Sequence, residues 1–369
     1  MNITHFVENL NRGGLERMVI ELAGIQHAQG HRVQVVCLYA SGTLAHELVA
    51  LGVPVRACEK RPSLDLRALR RARHWIRGHA TEVLHTHNAV AHYQAVLASV
   101  GLGLRRVLNT RHGMGGNQRS GRREWLFRRS LALTDIVVTV CEAARWGAVE
   151  MGMLPSGKAR VVPNGIRVDA FQLASFPLRE RLLDLLGAPA QARVIGTVGR
   201  LNWAKDQANL IRAFRLVHEQ RADTVLVLVG DGELRSQLQQ CAVDENVAAS
   251  VHFLGDRDDV PELLQGFDIF ALSSISEGYS MALLEASAVA LPIVATDVGG
   301  NGEIVHDGVT GKLVKARDAA ALAEALLALV QQPEVAASLG HAARAWVEQS
   351  GSLETMAARY ADLYQSPAD

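Results

Sequence analysis

Short apolar runs recur along the chain, and between them lie stretches whose apolar positions repeat at helical spacing. In the first half the runs are Ile3–Val7, Val33–Tyr39, Val83–His85, Arg106–Asn109, Ile136–Val140 and Arg160–Val162. A second series follows at Val194–Val198, Thr224–Val229, Val251–Leu254, Ile269–Leu272, Pro292–Ala295 and Gly311–Val314. Runs such as Val225–Val229 are apolar at every position, as strands covered on both faces must be. The intervening helical patterns include Leu64–Gly78, Gln207–Glu219 and Ala319–Val330. Strand and helix in alternation predict parallel sheets with right-handed crossovers. Two series on either side of a less regular stretch, Arg167–Gln191, predict two Rossmann-like α/β domains joined by a linker. The turn Pro163-Asn164-Gly165 closes the first series, since Pro presets φ and Gly accepts a positive one.

Composition agrees with two cores. A chain of 369 residues, 49% apolar and 21% charged, is globular and too long for one ordinary domain. No apolar run reaches the ~18–20 residues of a membrane span, and no charged leader with an apolar segment opens the chain. The cysteines Cys37, Cys58, Cys141 and Cys241 lack metal-type or framework spacing, which predicts a reducing, cytoplasmic compartment. The net charge of zero conceals an asymmetry. Residues 1–165 carry 22 Lys and Arg against 11 Asp and Glu, and the remainder carries 16 against 27. No basic motif is interleaved with aromatics in the manner of a nucleic-acid site, so nucleic acid is not expected as a partner.

Ligands of open parallel sheets bind outside the carboxyl ends of the strands, and the polar motifs of this chain fall there. The first strand runs into Asn11-Arg12-Gly13-Gly14-Leu15-Glu16, where two glycines precede a helix start able to receive an anion. The spacing is not GxGxxG, which disfavours a nicotinamide cofactor. His85-Thr86-His87 has the look of a zinc pair without a third ligand at usable spacing. His112, beyond the next strand, is a candidate for direct substrate contact, or else a satisfied structural histidine. In the second half, Arg200 and Lys205 follow a strand and could clamp a diphosphate. Asp256-Arg257-Asp258-Asp259 precedes a helix, where acids act as caps more often than as metal ligands, and Arg257 could border a base.

The most informative unit runs from Ser273 to Ala286. A strand opens into a polar loop with Glu277, Gly278, Tyr279 and Ser280, then enters an apolar helix at Met281 that carries Glu285. A carboxylate in that helix is costly unless it accepts hydrogen bonds, which ribose hydroxyls would donate. The N–H groups of Tyr279–Ala282 would face a phosphate, and Glu277 would accept from sugar hydroxyls.

The spacing of Glu277 and Glu285 within Glu-Gly-Tyr-Ser-Met-Ala-Leu-Leu-Glu-Ala resembles the donor-site signature of retaining glycosyltransferases of family 4. Leu291–Gly300, Asp307–Gly311, Val198–Leu201, Pro163–Ile166 and Gly13-Gly14 are similar to the same family, in order, over nearly the whole chain. The resemblance implies a GT-B fold: two facing Rossmann-like domains with an interdomain cleft. It implies an acceptor domain over residues 1–166, a nucleotide-sugar domain over 192–345, and a C-terminal helix within 346–369 that returns to the first domain. It further implies that Arg200 and Lys205 bind the donor diphosphate, Glu285 the ribose, and Glu277 and His112 the transferred sugar. Gly14, with Gly13, would approach the phosphates. A nucleotide-sugar would be a substrate, with no cofactor and no metal required.

The expected reaction is retaining transfer of a sugar from a UDP- or GDP-sugar to a hydroxyl, in polysaccharide, lipopolysaccharide or glycolipid assembly. A sugar-nucleotide epimerase and a non-catalytic nucleotide-sugar-binding subunit are the alternatives. The acceptor is expected to be a glycan or a lipid-linked glycan. Cations and tryptophans mix at Arg67, Arg70, Arg71, Arg73, Trp75 and Arg77, and again at Arg119, Arg122, Arg123, Trp125, Arg128 and Arg129. Each Lys or Arg near an anionic leaflet adds ~1 kcal/mol of attraction, so peripheral contact with the inner membrane face is expected.

Overall fold

The computed structural model describes residues 1–11, 13–63, 65–113, 121–171 and 178–366. Among them, seven parallel strands form the first sheet: β1 (Asn2–Val7), β2 (Arg32–Cys37), β3 (Val55–Ala57), β4 (Val83–His87), β5 (Arg106–Arg111), β6 (Ile136–Thr139) and β7 (Ala159–Val161). They lie in the order β3-β2-β1-β4-β5-β6-β7. The second sheet has β8 (Arg193–Val198), β9 (Thr224–Val229), β10 (Val251–Gly255), β11 (Ile269–Leu272), β12 (Ile293–Thr296) and β13 (Lys312–Val314), ordered β10-β9-β8-β11-β12-β13. Each order reverses once, between β1 and β4 and between β8 and β11. Those two points are where a doubly wound sheet opens a crevice for ligand.

The predicted runs correspond to strands with ends shifted by a residue or two, and β3 was not anticipated. It is three residues long, only partly buried and at a sheet edge, so it carries little apolar signal. Helices form where a cap and an apolar stripe coincide. Asp65 accepts from the N–H groups of Arg67 and Ala68, and Ala68, Ala72 and Ile76 then bury one face of Leu66–Gly78. Asp318 does the same for Ala319–Gln331 through Ala321 N–H.

The chain divides into one unit of Met1–Ile166 with Leu353–Asp369, and another of Arg167–Ser352. The irregular stretch expected as a linker belongs to the second unit, where helix Leu178–Leu186 packs on helix Val260–Gln265. Residues 172–177 of that stretch lie outside the described residues. The second unit also extends past residue 345, through helix Pro333–Ser350. The last helix, Leu353–Gln365, packs on Gly14–Ala28 within the first unit, and its Leu353 N–H donates to the Ile166 carbonyl at 2.7 Å.

Strand alternation sends residues to opposite faces of the first sheet. Phe6, Val36 and Leu84 pack under Leu66–Gly78 and Ala89–Ser99. Ile3, Val35, Val83 and Leu108 pack against the first and last helices, with Met356, Tyr360 and Tyr364. His5, His85 and His87 stand on strand positions of this second kind, so three imidazoles occupy a core face.

Candidate active site

In the second unit, the loops after β8 and β11 meet at the point of sheet reversal. Lys205 Nζ lies 2.6 Å from Glu277 Oε1, and both side chains are largely buried. Ser274 Oγ donates to the same carboxylate oxygen at 2.6 Å. The two loops are pinned to each other: Ser273 Oγ donates to the Lys205 and Asp206 carbonyls at 2.9 and 3.0 Å, and Ile275 N–H donates to the Ala204 carbonyl at 2.8 Å. Thr296 Oγ1, at the end of β12, holds the Ser274 carbonyl at 2.6 Å. The cation and the carboxylate therefore stand on a backbone fixed from three strands.

Glycine permits the close approach behind Glu277. Gly299 has φ +56°, and a Cβ there would run into the Glu277 carbonyl oxygen. Gly300 N–H in turn donates to the Gly278 carbonyl at 2.9 Å. Beyond the loop, Tyr279 and Ser280 are buried and helix Met281–Ala288 begins. Ser280 sits at its N-cap, yet its buried hydroxyl makes no cap bond and has no partner among the described residues. A helix N-terminus carries unpaired N–H groups and a partial positive charge, so the described geometry suits an anion. Glu285, in the second turn, is half-buried, as is Met281.

Arg200 is exposed immediately after Gly199, and its guanidinium has no ion-pair partner among the described residues. Its carbonyl accepts from Gln207 Nε2 at 3.0 Å, which steadies the turn before helix Gln207–Gln220. Arg257 is engaged elsewhere. It closes on Asp259 through two bonds of 2.7 and 2.6 Å, and a base would have to compete with that pair. Asp259 occupies the N-cap of Val260–Gln265 without capping it, contrary to the capping role expected of this acidic run. A cavity of about 480 Å³ in this unit opens at the amino ends of β8, β11 and β12, lined by Arg179, Arg193, Asp268 and His341. It is at the wrong end of the strands for the loops just described.

In the first unit, Gly13 precedes helix Gly14–Ala28, and a Cβ on Gly13 would meet the Glu16 carboxylate. Arg12, between Asn11 and Gly13, lies outside the described residues. The histidines were only half legible. Parallel pairing sets His5 of β1 opposite His85 of β4, so His5, His85 and His87 gather within 4.8 Å, fully buried. The third imidazole that the His85-Thr86-His87 motif lacked is thus supplied by a residue eighty positions away. The site holds hydrogen bonds instead of free ligand atoms: both ring nitrogens of all three histidines have partners. Burial holds His5 down at about 4 and His112 at about 3, and holds His85 and His87 well below the usual imidazole value, with neighbouring imidazoles adding to the effect. All four rings are neutral at physiological pH. His112 Nδ1 is buried with no partner among the described residues.

Two further groups escaped sequence reasoning. Glu8, at the exit of β1, is half-buried; burial raises its carboxyl pKa, Arg123 opposes that shift and Glu16 adds to it. Tyr39, at the exit of β2, is raised by burial and then by Glu8 and Tyr93. A single acidic residue after an apolar run has no distinguishing signal. Of the expected basic clusters, Arg71 pairs with Glu59, Arg73 donates to the carbonyls of Ala98 and Val100, and Arg56 lies over Trp75. Arg129 lies over Trp125, which is 55% exposed. Arg119 falls outside the described residues.

Comparison with known proteins gives this geometry a setting. The family model described as Glycosyltransferase Family 4 matches residues 12–170, and the one described as Glycosyl transferases group 1 matches residues 179–346. EpsD of Bacillus subtilis, named for glycosyl transfer, is 29% identical over 86% of this chain and 84% of its own length. The Escherichia coli UDP-Gal:alpha-D-GlcNAc-diphosphoundecaprenol alpha-1,3-galactosyltransferase is 27% identical over 67% of this chain and 65% of its own. Among solved structures, Anabaena Alr3699/HepE in complex with UDP superposes with a TM-score of 0.88 at 22% identity, covering all of both chains. The two sheets are those of the GT-B fold. The two family models fall in turn on the two Rossmann-like domains, and the chain belongs to the glycosyl transferases group 1, with a family 4 amino-terminal domain: it is a glycosyltransferase.

Proposed function

We propose that this enzyme transfers a sugar with retention of configuration from a nucleotide diphosphate donor to a hydroxyl acceptor. A UDP-sugar is favoured, with a GDP-sugar second. The observation that carries the reading is the Lys205–Glu277 pair at the sheet reversal, beside a helix start whose Ser280 hydroxyl is unpartnered among the described residues. A diphosphate wants a cation and N–H donors, and a sugar wants a carboxylate acceptor; both lie on adjoining loops. In this scheme Lys205, Arg200 and the N–H groups around Tyr279–Met281 take the diphosphate. Glu277 and His112 take the sugar, and Glu285 takes the ribose.

The bond from the anomeric carbon to the leaving phosphate oxygen breaks, and the acceptor oxygen bonds to that carbon on the same face. The acceptor proton passes to the departing phosphate. Cations and helix N–H groups stabilise the leaving charge, so the scheme calls for no metal. The UDP carried by HepE and the UDP-Gal and diphosphoundecaprenol in the name of the E. coli relative support a UDP-sugar and a lipid-linked glycan in cell-surface assembly. The basic, tryptophan-bearing first domain supports docking at an anionic inner membrane face.

The test is Lys205→Met against Glu277→Gln. Lys205→Met should lower turnover by roughly 10²–10³, the scale of losing one preorganised charge-stabilising group, and should weaken UDP itself. Glu277→Gln should keep UDP affinity and lose the sugar's contribution to donor binding. Near-wild-type turnover in Lys205→Met sinks the assignment, and donor consumption without any acceptor would favour an epimerase.

A further inference from the structure

Among the buried polar groups of the first unit, one set forms two branches that share one residue. From Gln26, one branch runs Oε1 to His5 Nε2 at 2.8 Å, His5 Nδ1 to His87 Nε2 at 3.1 Å, and His87 Nδ1 to His112 Nε2 at 3.1 Å. The other runs Gln26 Nε2 to Tyr364 Oη at 3.2 Å, Tyr364 to His85 Nδ1 at 2.7 Å, and His85 Nε2 to Thr110 Oγ1 at 2.8 Å. Thr110 ends beside Tyr360 Oη at 3.0 Å. A neutral imidazole has one N–H and one lone pair, so a line of such rings must donate in a single direction.

Gln26 sets that direction. Its Oε1 can only accept, so His5 donates from Nε2 and offers Nδ1. His87 then donates from Nε2 and offers Nδ1, and His112 donates from Nε2. The second branch agrees: Gln26 donates to Tyr364, Tyr364 donates to His85, and His85 donates to Thr110. What remains is the Nδ1 lone pair of His112, buried and unpartnered among the described residues, just past the carboxyl end of β5.

We propose that Gln26, acting through His5 and His87, fixes the tautomer of His112 so that its Nδ1 is held as a hydrogen-bond acceptor for a ligand hydroxyl at the carboxyl end of the first sheet's strands. Gln26, His5 and His87 are positioning residues that touch no substrate. That the hydroxyl belongs to the transferred sugar rests on the proposed function; the tautomer does not. The two branches also explain why His5, His85 and His87 are kept in a core. Their neutrality, which burial enforces, is what keeps the line directional.

The test is long-range ¹H–¹⁵N correlation spectroscopy of the full chain labelled at histidine, with His112 assigned by its loss in His112→Asn. At pH 7.5 the wild type should show His112 protonated at Nε2 and bare at Nδ1. Gln26→Leu should convert that signal to a tautomer mixture and lower kcat for sugar transfer by roughly ten- to a hundredfold, the scale seen when an orienting partner is removed. Gln26→Glu still accepts from His5, so it should keep the His112 tautomer and recover most of kcat. A merely structural glutamine would tolerate leucine better than a buried carboxylate. An Nδ1–H tautomer in the wild type overturns the proposal, as does an unchanged His112 signal in Gln26→Leu. If Gln26→Leu does not fold, the wild-type and Gln26→Glu spectra decide. The expected tautomer in a chain that transfers no sugar would leave the line standing and remove only its sugar partner.

Discussion

Lys205 and Glu277 are ion-pair partners, which keeps two charges in place on a largely buried surface. A donor diphosphate would draw on the cation while sugar hydroxyls draw on the carboxylate. Glu285 has a separate role in this scheme, and it predicts a specific loss. Wild-type protein should bind UDP more tightly than its 2′,3′-dideoxy analogue by roughly 1.5–3 kcal/mol, the range for hydrogen bonds to a charged group. Glu285→Ala should bind both equally in calorimetry; a persisting preference would remove ribose from Glu285. Glu285 stands out in the sequence because an acidic residue in an apolar helix violates the pattern around it, and Glu277 by its place in the loop that precedes it. His5 was not legible, because on its strand it is only one polar position, and its partners arrive from β4 by sheet register.

Single elements carry the site by what they exclude. The loop after β12 presses on the Glu277 carbonyl at Gly299, where φ is +56° and no side chain fits. Gly299→Ala should cost at least ~1–2 kcal/mol from the left-handed backbone alone. Because relief requires the Glu277 loop to move, kcat should fall more than the melting temperature suggests. Stability loss with normal kcat would show that the loop is not coupled to turnover. The last helix, Leu353–Gln365, shows a complementary effect in the first unit. Tyr364→Phe leaves Gln26 Nε2 and His85 Nδ1 without a partner, and should destabilise by about 1–3 kcal/mol in urea melts. A neutral substitution would mean that water replaces the hydroxyl. The helix itself was expected from the family resemblance, and nothing in the sequence singled out its two tyrosines.

Two properties belong to the whole chain. Its acid sensitivity follows from burying neutral histidines. An unfolded imidazole binds a proton near 6.5, whereas His5 holds out to about 4 and His92 and His112 to about 3. The stabilisation is therefore complete above pH 6.5 and is lost as pH falls from 6.5 toward 4. Each such histidine contributes a slope of up to about 1.4 kcal/mol per pH unit in that window. Urea midpoints should drop steeply between pH 7 and pH 5, and a flat profile would contradict the neutral core. The second property is charge: the excess of cations in residues 1–165 predicts flotation with anionic liposomes at low salt and release as salt rises. Absence of binding at low salt would reduce the asymmetry to solvated surface. No helix among the described residues is long and apolar enough to cross a membrane.

The sequence by itself determined the two parallel α/β series, the strand ends where polar motifs cluster, and the family whose donor signature Glu277 and Glu285 carry. These are local properties: periodicity, turn residues, and spacing within one loop and helix. Tertiary structure alone decided which loops meet. It joined Lys205 to Glu277 across the β8–β11 reversal, diverted Arg257 to Asp259, and set His5 beside His85 and His87. Sheet order and register depend on packing between segments far apart in the chain, which no local pattern of apolar and polar residues encodes.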